Sequence, residues 1–111
     1  MAAISTKVSA RTANAYTMAA ASAGGDAFTN TGKEMLLITN AHATVTRNVT
    51  VVTTKTVDGL AVADLAIAIP ALTSHLIGPF PTGLYNDANG LVTLTYDDEA
   101  DLTMRVIKAG V

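Results

Sequence analysis

The chain has no cysteine and no tryptophan, and only two phenylalanines and three tyrosines. Without cysteine there is neither a disulfide framework nor a thiolate metal site, which excludes the small scaffolds held by bridges or by zinc–sulfur centres. Large rings dominate core energetics, so aromatics at 5% leave a thin core even though the apolar fraction, swollen by alanine, reaches 50%. Charge is scarce too. Seven basic residues, scattered along the chain, stand against nine acidic ones for a net charge of −2. A nucleic-acid binder gathers a basic surplus on one face, and that class is excluded. No apolar run is long enough to cross a bilayer, which takes about 20 residues. The most apolar segment, LAVADLAIAIPAL, is shorter and contains Asp64 and Pro70, so no membrane partner is expected. No continuous apolar stretch follows Lys7 and Arg11, so the amino terminus does not read as a signal peptide.

What is present is β-strand patterning. At 111 residues the chain makes one domain, burying about 65% of its unfolded surface. Such a domain gains from further burial in an oligomer. Ile4 to Arg11 predicts a strand or extended arm, and Asn14 to Ala23, although rich in alanine, predicts an irregular or extended segment rather than a helix, because threonine and serine weaken the helix and Gly24-Gly25 end it. That cluster sets a boundary between an amino-terminal arm or first strand, 1–25, and a body, 26–111. After the break GGDAFTNTGK, the run EMLLITN suits a strand covered on both faces. Thr44 to Thr54 carries Val45, Val49 and Val51 on one parity, with Arg47 interrupting it. Lys55 to Ala63 is a connection holding the turn pair Asp58-Gly59. Leu65, Ile67 and Ile69 share one face of the next strand and Asp64, Ala66 and Ala68 the other, and Pro70 ends it.

A strand over Thr73 to Ile77 then enters IGPFPTGLYNDANGLVTLTY, which predicts a proline-bracketed corner, a short strand carrying Tyr85, a turn at NDANG and a clean alternating strand with Val92, Leu94 and Tyr96 inward. The last strand places Leu102, Met104 and Val106 inward and Thr103 and Arg105 outward. The fold class is therefore all-β, an antiparallel β-sandwich or jelly-roll-like barrel of about seven or eight short strands.

No residue set with catalytic spacing accompanies this pattern. Asp97, Asp98, Glu99 and Asp101 offer carboxylates suited to a hard cation, but lack the alternation and glycine of a calcium loop, and a solvated loop explains them. His42 and His75 have no histidine partner at helical spacing, and a surface or capping role fits both. Ser74 beside His75 is a neighbour in sequence without triad geometry, and Gly24-Gly25-Asp26 lacks the context that cradles phosphate. No cofactor and no enzymatic activity are expected. Partner-contact candidates are Lys7, Arg11 and Tyr16 in the arm and Arg47 in the valine strand.

The order of features resembles a family of small tailed-bacteriophage virion proteins, the capsid decoration (cement) or head structural proteins. The matching stretches are NAYTMAAASAGGDAFTNTGKEMLLITN, then VTRNVTVVT, then AIAIPA, and above all the corner IGPFP followed by YNDANGLVTLTY. The resemblance implies a β-sandwich-like protein made in the host cytoplasm that binds the outside of the assembled head, with the major capsid protein as partner and a homo-oligomer, a trimer, as its form. Two other readings stay open: another virion part such as a head fibre, head completion or tail protein, and a carbohydrate-binding sandwich using Tyr16, Phe28, Phe80, Tyr85 or Tyr96 as a sugar platform.

Overall fold

Alternation in the sequence becomes alternation in burial. In the computed structural model, which describes residues 2–13, 15–53 and 56–109, strand β11 (Leu91–Tyr96) buries Val92 and Leu94, and β12 (Leu102–Lys108) buries Leu102, Met104 and Val106. Strand β5 (Met35–Asn40) buries Leu36, Ile38 and Asn40, while Met35, Leu37 and Thr39 on the opposite face are only partly covered. The expectation of cover on both faces is thus corrected, because β5 lies in an outer layer of two and has one core side. Asn40 is tolerated at the core edge because it is saturated: its Nδ2 donates to Val45 O and to Ile69 O, each at 2.9 Å, and its Oδ1 accepts from His42 N.

The strands form a sandwich of two five-stranded sheets. Besides β5, β11 and β12, these are β1 (Ala2–Ala3), β2 (Thr6–Val8), β3 (Ala19–Ala20), β4 (Asp26–Thr29), β6 (Arg47–Val51), β9 (Leu65–Ile69) and β10 (Thr73–Ile77). One sheet runs β1-β4-β11-β6-β9; the other runs β10-β5-β12, with β2 and β3 one after the other along the outer edge of β12. A separate hairpin of β7 (Thr56–Val57) and β8 (Leu60–Ala61) turns at Asp58 and Gly59, both with positive φ, as the turn pair predicts. The sheets do not close into a barrel, and they are mixed rather than purely antiparallel. The strand pairs β1–β4 and β2–β12 are parallel, because the chain passes from one sheet to the other at Ile4 without reversing. Ile4 is itself a core residue, and its N–H donates to Ala27 O at 2.8 Å. Ile4 and Ala21 of the amino-terminal segment therefore pack into the same hydrophobic core as the body.

Three local expectations are revised. The stretch read as a break contains β4, with Ala27 and Phe28 buried and Asp26 buried among hydrogen bonds from Ser22 N (3.0 Å) and the Tyr96 hydroxyl (2.6 Å). Tyr85 lies on a single helical turn, α1 (Thr82–Tyr85), not on a strand; the turn follows the corner, where the Gly78–Pro79 bond is cis and Phe80 packs against Phe28 and Tyr85 with ring centroids 5.7 Å apart in both pairs. The valine strand begins only at Arg47, leaving Val45 42% exposed, and Thr54 lies outside the described residues. The alanine-rich stretch forms no helix: residues 15–18 are irregular and β3 follows them, while Asn14 lies outside the described residues.

Candidate functional site

Strand β12 is longer than either segment that covers its outer edge, and this mismatch shapes the surface. Parallel β2 covers Val106 to Lys108, antiparallel β3 covers Thr103 and Met104, and residues 9–13 and 15–18 lie outside both pairings. Arg105 stands at the junction and closes it. Its Nε donates to Thr17 O at 2.6 Å, Nη1 to Ser5 O at 3.2 Å and Nη2 to Thr17 Oγ1 at 3.4 Å. A planar guanidinium with several fixed donors suits such a task, since it ties two backbone segments with one side chain.

The loop held in this way borders an open groove of about 310 Å³ lined by Lys7, Ser9, Ala10, Thr12, Tyr16 and Ile107. Two of the four candidate contact residues, Lys7 and Tyr16, therefore meet on one surface. Tyr16 is 54% exposed, and Arg11 is exposed on the same loop. Basic residues scattered in sequence are gathered here: Lys7, Arg11 and Arg105, three of the chain's seven, lie on β2, on the loop and on the outward face of β12. An apolar hollow of about 220 Å³ on the other sheet, bordered by Ala2, Ala3, Ile4 and Leu91, extends the same flank.

Arg47 lies apart from this group. Its side chain is 11% exposed and engages the acidic loop, with Nη1 3.2 Å from Asp98, Nη2 3.8 Å from Asp101 and Nε donating to Ala100 O. The loop is otherwise satisfied by Asn48 of β6 and by its own backbone. Asp97 accepts from Asn48 N and Asn48 Nδ2, each at 3.0 Å, and from Asp98 N at 2.8 Å. Burial pushes the Asp97 carboxyl up, but these hydrogen bonds and the Arg47 charge outweigh it and hold the group below its ordinary range. Among the described residues no cluster of three or more histidine or acidic side chains has the geometry to hold a metal ion.

The remaining polar residues act as fasteners. His42 Nδ1 accepts from Thr44 N and Val45 N at 3.0 Å each, so its ring caps a turn, and His75 Nε2 lies 3.0 Å from Thr73 Oγ1. Desolvation first, and then the hydrogen bond and charge of Asp26, push the Tyr96 phenol well above its ordinary range, so it stays protonated as a structural donor. Glu34, nearly fully buried, accepts from Thr31 N and Thr31 Oγ1. Burial pushes its carboxyl up, and the Thr31 bonds with the Lys108 charge bring it below the ordinary value.

Phe28 and Phe80 are buried and Tyr85 and Tyr96 partly so, which leaves Tyr16 as the one aromatic ring displayed on the surface among the described residues. Sequence reasoning assigned no site role to Arg105, Ile107 or Lys108. The outward parity of Arg105 and Ile107 on the last strand was the available signal, whereas Lys108 shares the inward parity of Val106; the pairing of that strand with residues 6–8 spans some hundred positions and has no local signature. Comparison of the chain with protein-family models, with curated proteins and with solved structures finds no match.

Proposed function

We propose that this chain is a structural virion protein that binds the outside of an assembled bacteriophage head as a capsid decoration (cement) protein, with the major capsid protein as partner and no enzymatic step. The resemblance of IGPFP and YNDANGLVTLTY to that family supplies the identity of the partner. The observation that carries the reading is the amino-terminal groove, where Lys7 of β2 and Tyr16, with Arg11 nearby, lie beside a loop tied by Arg105. An exposed tyrosine flanked by cations is suited to a protein surface, since the ring supplies rigid contact area and the cations steer association with an acidic partner. The pairing of β1 and β2 with separate sheets makes this flank continuous across the sandwich.

Repetition strengthens such a contact: many weak attachments on a lattice give high occupancy even when each is feeble. Expanded empty heads assembled from the partner major capsid protein should resist heat and chelator better once the protein is added. Unchanged resistance, together with saturable binding to a glycan array, would favour the carbohydrate-binding reading. That second reading draws on Tyr16 beside the hydroxyls of Ser9 and Thr12, but a single displayed ring makes a small sugar platform.

A further inference from the structure

We propose that β9 is a self-pairing edge, through which a second copy of this chain adds antiparallel about a two-fold axis at Ile67. The phase of the ladder decides which groups are available. Strand β6 turns its main chain toward β11 at Asn48, whose C=O accepts from Asp97 N at 3.1 Å, and Val52 N donates to Thr93 O at 3.0 Å just beyond the strand. Successive residues of an antiparallel strand direct their main-chain groups to opposite sides. Arg47, Val49 and Val51 therefore serve β9, where they face Ile69, Ile67 and Leu65. Ala66 and Ala68 take the opposite phase and turn N–H and C=O out of the sheet. Strand β9 ends that sheet, and no hydrogen bond among the described residues reaches these groups.

The edge is its own complement. With the axis at Ile67, Ala66 of each copy faces Ala68 of the other as hydrogen-bonded pairs, Ile67 faces Ile67, and Leu65 faces Ile69. Leu65, 37% exposed at the open end of the core, gains a cover, while Ile69 is fully buried within its own copy. No charge lies between Leu65 and Ile69, and the small outward side chains of Ala66 and Ala68 let a second backbone approach. The lysine, proline or bulge that ordinarily blunts an exposed edge is missing from this strand. The ends are defined as well: Pro70 has no N–H and its C=O accepts from Thr73 Oγ1 at 2.6 Å, and the Asp64 carboxylate is held by Thr53. In this register the two Asp64 residues fall at opposite ends, so like charges do not meet. Every strand meets its own copy symmetrically about its centre, and here that meeting brings no like charges together and finds no blunting residue in the way, which favours a copy of the same chain.

This inference goes beyond the head-binding reading and does not rest on it, since β9 and β10 form the flank opposite β1 and β2; it replaces the trimer that the resemblance implies with a two-fold dimer. Its test needs no heads. Sedimentation equilibrium of the full chain should show a dimer that dissociates on dilution. The variant A66K/A68K, which sets lysines against each other at two exposed positions, should be monomeric with an unchanged circular dichroism spectrum. A wild-type protein that is monomeric at all concentrations or trimeric, or an A66K/A68K protein that still dimerises, would overturn the proposal. Should that variant fail to fold, cysteines decide the matter in a chain that has none of its own. Facing residues in such a pair sit about 5.5 Å apart at Cα, within disulfide reach. A mixture of A66C and A68C proteins should therefore cross-link under mild oxidation while neither does alone; no cross-link in the mixture, or one from A66C alone, contradicts the register.

Discussion

Arg105 shows how much one side chain organises here. Its bonds to Thr17 and Ser5 hold the loop that carries Arg11 and Tyr16, and charged donors to backbone oxygens contribute about 1.5–3 kcal/mol where they are shielded. Arg105→Ala should keep the fold, lower stability by about 1 kcal/mol after allowance for solvent, and speed tryptic cleavage at Arg11; an unchanged cleavage rate would detach Arg105 from that role. Gly25 is constrained differently. It has φ of +92°, and a Cβ there would lie 2.6 Å from Leu94 O, a backbone atom with no freedom to yield. Gly25→Ala should cost about 2 kcal/mol, read as a lower urea midpoint. Glu34 adds a pH dependence. Its carboxyl titrates below the ordinary 4.5 in the folded chain, so its contribution is complete above that value and is lost as pH falls through the lowered one. Glu34→Gln should flatten the acid limb of stability against pH, while equal slopes in the two proteins would remove Glu34 as its source.

At the scale of elements, parity was legible and pairing was not. The inward sets Val92, Leu94, Tyr96 and Leu102, Met104, Val106 stand in the structure as the alternation predicts, because each strand is long enough to show period 2 and has one core face. Strand β4 escaped notice because four residues between glycine-rich flanks, opening on an aspartate, carry no such pattern, and Asp26 is acceptable only through partners at Ser22 and Tyr96. The helical turn α1 is too short to show any period. Lys7 and Tyr16 were legible as contact candidates, but their convergence on Ile107 depends on a parallel pairing between the two ends of the chain. The same pairing bears on the amino-terminal segment. Because Ile4 is 8% exposed and lies in the core, Ile4→Ala should cost about 2–3 kcal/mol in a denaturant titration. A loss below half a kcal/mol would show residues 1–8 to be a detachable arm.

Across the whole molecule the two flanks of the sandwich differ in character. The flank of β1, β2 and β3 carries the groove and the basic side chains of Lys7, Arg11 and Arg105. The flank of β9 and β10 is uncharged along β9 and displays Leu72 at 70% and Leu76 at 55% exposure. A sandwich only about 20 Å thick with so few rings gains from covering such surfaces, and opposite flanks allow self-association and attachment to a shell at the same time. The head-binding claim assigns attachment to the basic flank. Its most direct test is the co-sedimentation isotherm of the purified protein with expanded empty heads, run for the wild type and for the double variant K7A/Y16A. Saturable wild-type binding that weakens at least tenfold in the variant, with the fold intact by circular dichroism, is the predicted result; no wild-type binding, or the same isotherm for both proteins, would contradict it.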